Sequence, residues 1–86
     1  MSHRLHLRVG QRWKWRRNNV HTYIITRFTT RREWQTPAVI LTWRDYSGRW
    51  VRISYLIRDL IEQFETGDVY QVDIMGQPIV QSINEN

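Results

Sequence analysis

Between Ala38 and Ser54 apolar residues recur on alternate positions, and the pattern pauses once, at Asp45-Tyr46-Ser47-Gly48. A period of two places successive side chains on opposite faces of a strand. A three-residue loop with glycine in the left-handed region is a known way to close such a hairpin. Ala38–Asp45 and Arg49–Ser54 are therefore read as paired strands, with Asp45 opposite Arg49, Trp43 opposite Val51 and Leu41 opposite Ile53. One face then carries Val39, Leu41, Trp43, Val51 and Ile53, and the other carries Ile40, Thr42, Arg44, Trp50 and Arg52. A chain containing this ribbon must find something to cover its apolar side.

A second ribbon is expected from Gln11–Arg17 and Val20–Phe28. Asn18-Asn19 offers two residues tolerant of positive φ, which suits a type I′ turn. That turn sets Arg17 opposite Val20, Trp15 opposite Thr22 and Trp13 opposite Ile24. Trp13, Trp15, Val20, Ile24 and Phe28 then face the core. Arg12, Lys14, Arg16, His21, Tyr23 and Arg27 face outward, with Ile25 among them. A slip of one residue would exchange the two faces. Thr29–Pro37 is polar and reads as a mobile loop carrying Arg31, Arg32, Glu33 and Trp34. Its tryptophan is either a lid over the core or a contact residue.

Ser54–Glu65 reads as the one helix. Ser54 suits the N-cap, and Leu56, Ile57, Leu60, Ile61 and Phe64 form a single stripe at helical spacing. Gly67 follows as a stop. Arg58 lies early and Glu62 and Glu65 late, which opposes the helix macrodipole. The placement makes sense if those acids meet arginines of the N-terminal strands. Asp68–Ile74 alternates again, with Tyr70, Val72 and Ile74 on one side, and reads as a closing strand. Before the first ribbon, His3 to Val9 reads as a short strand or ordered arm, broken by Gly10. After the closing strand, Met75-Gly76-Gln77-Pro78 turns the chain, and Ile79, Val80 and Ile83 suit a last short strand.

The expected fold is mainly β with one helix (α+β): a small, partly open barrel of about five antiparallel strands, with the helix before the last core strand. It is one domain over residues 1–86, with a core about 9–74 between a flexible N-terminal arm and a C-terminal tail. The sequence resembles SH3-like barrel domains, and in particular the small basic proteins of that kind encoded by phages and prophages. The resemblance covers roughly residues 9–74. It rests on Val9-Gly10-Gln11-Arg12-Trp13, Tyr23-Ile24-Ile25 and Asp45-Tyr46-Ser47-Gly48, then on Val51-Arg52-Ile53-Ser54 leading into Leu56 and Leu60, and on Phe64-Glu65. The helix is longer than the single 3₁₀ turn usual in SH3 domains. No proline-recognition groove is therefore carried over.

The charge distribution suggests a partner. Residues 1–32 hold nine bases and no acid, whereas residues 59–86 hold six acids and no base. Such segregation points either to a polyanion at the basic end or to two ends folded against each other. Twelve of the thirteen bases are arginine, whose planar fork matches phosphate or carboxylate and stacks on aromatic rings. Codon bias in a GC-rich genome would also give arginine. No apolar run approaches the ~18 residues of a membrane span, and no signal peptide is recognisable. The absence of cysteine excludes disulfides and thiol nucleophiles and fits a cytoplasmic setting.

The serines sit in no nucleophile elbow, and no phosphate-binding glycine loop is present. His3 and His6 read as a solvated terminal pair rather than metal ligands, and Asp59 and Glu62 as a solvated helix face. The chain is expected to be no enzyme and to need no cofactor. The positive signal is arginine interleaved with aromatics. Arg12, Lys14, Arg16, Tyr23 and Arg27 share one expected face, Arg44, Trp50 and Arg52 another, and Arg31, Arg32 and Trp34 lie on the intervening loop. Such a surface can track phosphates and stack bases. The expected partner is nucleic acid, RNA or DNA. The alternative is an acidic host protein, bound by a phage-encoded inhibitor or adaptor through residue types enriched in protein hot spots. Open sheet edges also allow self-association. A plainer reading has Tyr23 and Trp50 packing beneath arginine stems, with acids from the helix around them.

Overall fold

The ribbon around Asp45-Tyr46-Ser47-Gly48 forms in the expected register. The computed structural model describes residues 6–31 and 35–79. In it β3 (Thr36–Arg44) pairs with β4 (Trp50–Leu56), and Trp43 lies opposite Val51 and Leu41 opposite Ile53. The turn is held by Asp45. Its Oδ1 accepts from the Ser47 N–H at 2.9 Å, the Ser47 hydroxyl at 2.7 Å and the Arg49 N–H at 3.0 Å. Gly48 takes φ 84°, where a side chain would be strained. Asp73 repeats the device at Ile74-Met75-Gly76: its Oδ1 accepts from the N–H groups of Met75 and Gln77, each at 2.9 Å.

The first ribbon forms one residue out of the expected register. β1 (Arg12–Trp15) sets Arg12 opposite Ile24 and Trp13 opposite Tyr23 of β2 (Tyr23–Arg31). Neither Asn18 nor Asn19 has a positive φ, so no type I′ turn forms. The reason lies far away in sequence. β1 runs its whole length along β5 (Val69–Val72), with Trp13 opposite Gln71, Lys14 opposite Tyr70 and Trp15 opposite Val69. The Arg16 N–H continues that pairing to the Asp68 carbonyl at 2.8 Å. Residues 16–22 are left to arch back to β2 as a loop. Because the side-chain period is two, the offset turns Tyr23 and Ile25 inward and Ile24 outward.

β2 and β3 also run further than expected. Thr29, Thr30 and Arg31 pair with Ala38, Pro37 and Thr36, so much of the segment read as a loop is strand. Arg32, Glu33 and Trp34 lie outside the described residues, as do residues 1–5 and 80–86, which include Val80 and Ile83. Ladder partners step from Ile25–Leu41 to Arg27–Ile40, which leaves Thr26 as the extra residue of a β-bulge.

The helix, α1 (Ile57–Thr66), starts later than expected. Ser54 stays in β4, and extended Leu56 precedes the helix with no side-chain cap. Leu60 drives the helix into the sheet, where Trp13, Ile25, Val39, Leu41, Leu60 and Val69 form a buried cluster. Phe64 meets the Trp13 ring edge to face at 5.9 Å, a favoured aromatic geometry. The helix ends as anticipated. Gly67 enters the left-handed region, its N–H reaches the Phe64 carbonyl at 3.1 Å, and the Asp68 N–H reaches that of Gln63 at 2.8 Å. Among the described residues the late acids Glu62 and Glu65 form no ion pair with the N-terminal arginines. Among the described residues the one ion pair is Arg58 with Asp59, at 3.8 Å.

The five strands among the described residues lie in one antiparallel sheet of order β4-β3-β2-β1-β5. The sheet is not closed. β4 and β5 are its edges, and α1 packs against β3, β4 and β5 across the inner face. β5 stops at Val72, before the expected Ile74, because Asp73 turns the chain. Pro78 then bridges back to Val72 and the Ile79 N–H bonds the Gln71 carbonyl at 2.8 Å. Among the described residues no helix is long and apolar enough to cross a membrane.

Candidate functional site

The helix occupies the inner face of the sheet, so the outer face is where a partner can reach the strands. One row of directly opposed residues crosses four strands: Arg12, Ile24, Thr42 and Arg52. In the next row Arg44 lies opposite Trp50, and on the other side of the bulge Arg27 lies opposite Ile40 and Ile40 opposite Ser54. Alternation puts Arg12, Lys14, Arg27, Arg44, Trp50 and Arg52 on this same face. Six of the expected contact residues are thus brought together. Among the described residues none of their cationic groups is in an ion pair.

Trp50 is the centre of the arrangement. It is 57% exposed, and the Arg44 guanidinium lies over its ring at 5.2 Å from the centroid. On one flank is a groove of about 330 Å³ walled by Arg12, Ile24, Arg44 and the Asp73–Gly76 turn, with His21 at its rim. Asp73 is the carboxylate in that wall, with Oδ1 held by its own turn. A second groove, of about 430 Å³, is lined by Thr26, Thr42, Trp50, Val51 and Arg52. The two grooves meet at the indole.

The other expected residues have different fates. Tyr23 is not an outer-face residue. It points inward, half-buried, with its ring 4.7 Å from Trp43 and 5.1 Å from Trp15. Burial pushes its hydroxyl pKa up, with the nearby Tyr46 adding to the shift. Arg16 leaves the sheet in the loop after β1. Its Nε donates to the Gly67 carbonyl at 2.8 Å and its guanidinium lies 5.2 Å from the Tyr70 ring centroid. It ties β1 to the end of the helix. Arg31 is placed in β2 by its backbone pairing with Thr36, and Arg32 and Trp34 fall outside the described residues.

Three features were missed. Thr26 and Thr42 carried no motif, and only the bulge brings their hydroxyls together at 3.1 Å. The Asp73 turn was legible, since Asp73-Ile74-Met75-Gly76 repeats the spacing of Asp45-Tyr46-Ser47-Gly48. His21 sits 5.1 Å from the Tyr46 ring, packing the first turn against the loop. Its position follows from the altered register. No group of three or more potential metal ligands occurs among the described residues.

No protein-family model, curated protein or solved structure matches this chain. The reading of the site therefore rests on its own geometry.

Proposed function

We propose that this protein binds nucleic acid without catalysing a reaction, through the outer face of its sheet. The observation that carries the reading is the collection of Arg12, Arg44 and Arg52 around an exposed indole, with Arg27 further along the same face and no ion pair to any of them among the described residues. Guanidiniums spaced along a sheet can follow a phosphate backbone, and an aromatic among them can stack a base. The fold is read as an SH3-like barrel of the small basic phage type. The five-stranded order with β5 returning to β1 supports that reading, and the ten-residue helix is its main departure.

The test is an oligonucleotide titration at about 50 mM salt, repeated at rising salt. Affinity should fall steeply with salt, in proportion to the phosphates neutralised. Arg12→Glu and Arg52→Glu should weaken every oligonucleotide. Absence of binding at the lowest salt sinks the proposal.

A second reading has the chain docking on an acidic host protein as an inhibitor or adaptor. It is favoured by the apolar tips of the two aspartate turns, since Tyr46, Ile74 and Met75 are all strongly exposed. It expects a nuclease-resistant complex that Ile74→Ser with Met75→Ser disrupts and Arg12→Glu alone does not.

A further inference from the structure

The second groove has a chemistry of its own. Thr26 is the bulge residue, and bulges re-aim side chains near functional sites. Here the bulge sets the Thr26 hydroxyl 3.3 Å from the Ile40 carbonyl and 3.1 Å from the Thr42 hydroxyl. The carbonyl can only accept, so Thr26 donates its proton there. Thr42 then donates to Thr26. Thr26 is then left with one lone pair and Thr42 with two, and both residues line the groove. The walls are the Trp50 indole and Arg52. At about 430 Å³ the groove falls within the roughly 300–1,000 Å³ of small-ligand sites.

We infer that this groove is a nucleobase site selecting single-stranded nucleic acid, in which a base stacks on Trp50 and its exocyclic amino group donates to the Thr26–Thr42 hydroxyl pair. Arg44 covers the indole and lines the first groove but not the second, so it leaves the second as the side on which a ring can stack. Arg52 supplies the charge that holds the adjoining phosphate. A duplex keeps its base faces stacked on one another, so none of its bases can stack on Trp50. Uracil carries a carbonyl where cytosine carries its amino group, so at that position it offers the threonine oxygens no donor. This inference rests on the nucleic-acid reading above.

Cytosine and uracil test it directly, because they differ at the amino-bearing position and stack alike. Wild-type protein should bind oligo(dC) about 3- to 10-fold more tightly than oligo(dU), the range expected of one hydrogen bond. Thr42→Val should abolish that ratio, and Thr42→Ser, which keeps the hydroxyl, should retain it. Trp50→Leu should cost single strands about tenfold and duplex markedly less. Thermal unfolding of each variant checks that it is folded. Equal affinity for oligo(dC) and oligo(dU), or a ratio that survives Thr42→Val, overturns the base site. If binding is salt-dependent and lost in Arg12→Glu but blind to base and strandedness, the nucleic-acid face stands and the base site falls. If no oligonucleotide binds at about 50 mM salt, both fall. Polyglutamate competing as well as oligo(dC) would overturn the base site in favour of an acidic protein.

Discussion

The Arg44 guanidinium lies 5.2 Å from the centroid of the Trp50 ring, and the two residues face each other across the β3–β4 ribbon. A cation over an exposed indole is worth about 0.5–1 kcal/mol. Arg44→Gln should lower stability by about that amount in urea denaturation. A double-mutant cycle with Trp50→Leu isolates the pair, and zero coupling would contradict the contact.

Arg12 and Arg16 are two residues of similar appearance in the sequence with different work. Arg16 bonds the Gly67 carbonyl and stacks on Tyr70, whereas Arg12 lines the first groove. Arg16→Ala should cost about 1–2 kcal/mol of stability through its charged hydrogen bond and ring contact, with little loss of oligonucleotide affinity. Arg12→Ala should show the reverse. Thermal unfolding and titration of both variants separate the two roles.

Leu60 is fully buried where the helix meets the sheet. Leu60→Ala should cost about 2–5 kcal/mol, a large part of the roughly 5–15 kcal/mol available to a small domain. Trp13 is as deeply buried, and its indole N–H has no hydrogen-bond partner among the described residues. Trp13→Phe removes that orphaned donor along with some volume, so it should destabilise less than Leu60→Ala. Chemical denaturation of the two variants ranks them.

The Asp45 carboxyl is held below its ordinary value, first by the Ser47 hydroxyl and then by the Arg49 N–H, with the Ser47 N–H and His21 assisting. A group with a depressed folded pKa contributes stability that is present above its unfolded value, about 3.9. That contribution is lost as pH falls through the folded value. Wild-type protein should therefore lose melting temperature below about pH 4 partly through Asp45. Asp45→Asn keeps an acceptor but does not titrate there, so its melting temperature should fall less over the same range. An identical acid profile would refute the assignment.

Gly67 holds φ 86° as it ends the helix. A Cβ there would meet no neighbour, so the whole penalty of Gly67→Ala is backbone strain, about 1–2 kcal/mol. Thermal unfolding should show that loss without any change in oligonucleotide binding.

The second ribbon and the helical stripe were readable because their causes are local. Asp45 and Gly48 close their own turn, and Leu60 and Phe64 share one side of a helix at any position in a fold. The Arg44–Trp50 pair and Arg52 followed from that same turn, and with them the centre of the candidate site. Arg12, Lys14 and Arg27 kept their outward places, but Tyr23 did not. Its orientation depends on β1 leaving β2 to run beside β5, a pairing between residues more than fifty positions apart. Nothing near Asn18-Asn19 encodes that choice. Likewise the bulge at Thr26 exists only because β2 must reach Leu41 and Ile40 of β3 in two different registers. Local turn chemistry determined which residues the second ribbon presents. Long-range strand pairing decided the first, because with a side-chain period of two a single-residue offset exchanges the faces of Tyr23, Ile24 and Ile25, and the bulge at Thr26 then returns Arg27 to the outer side.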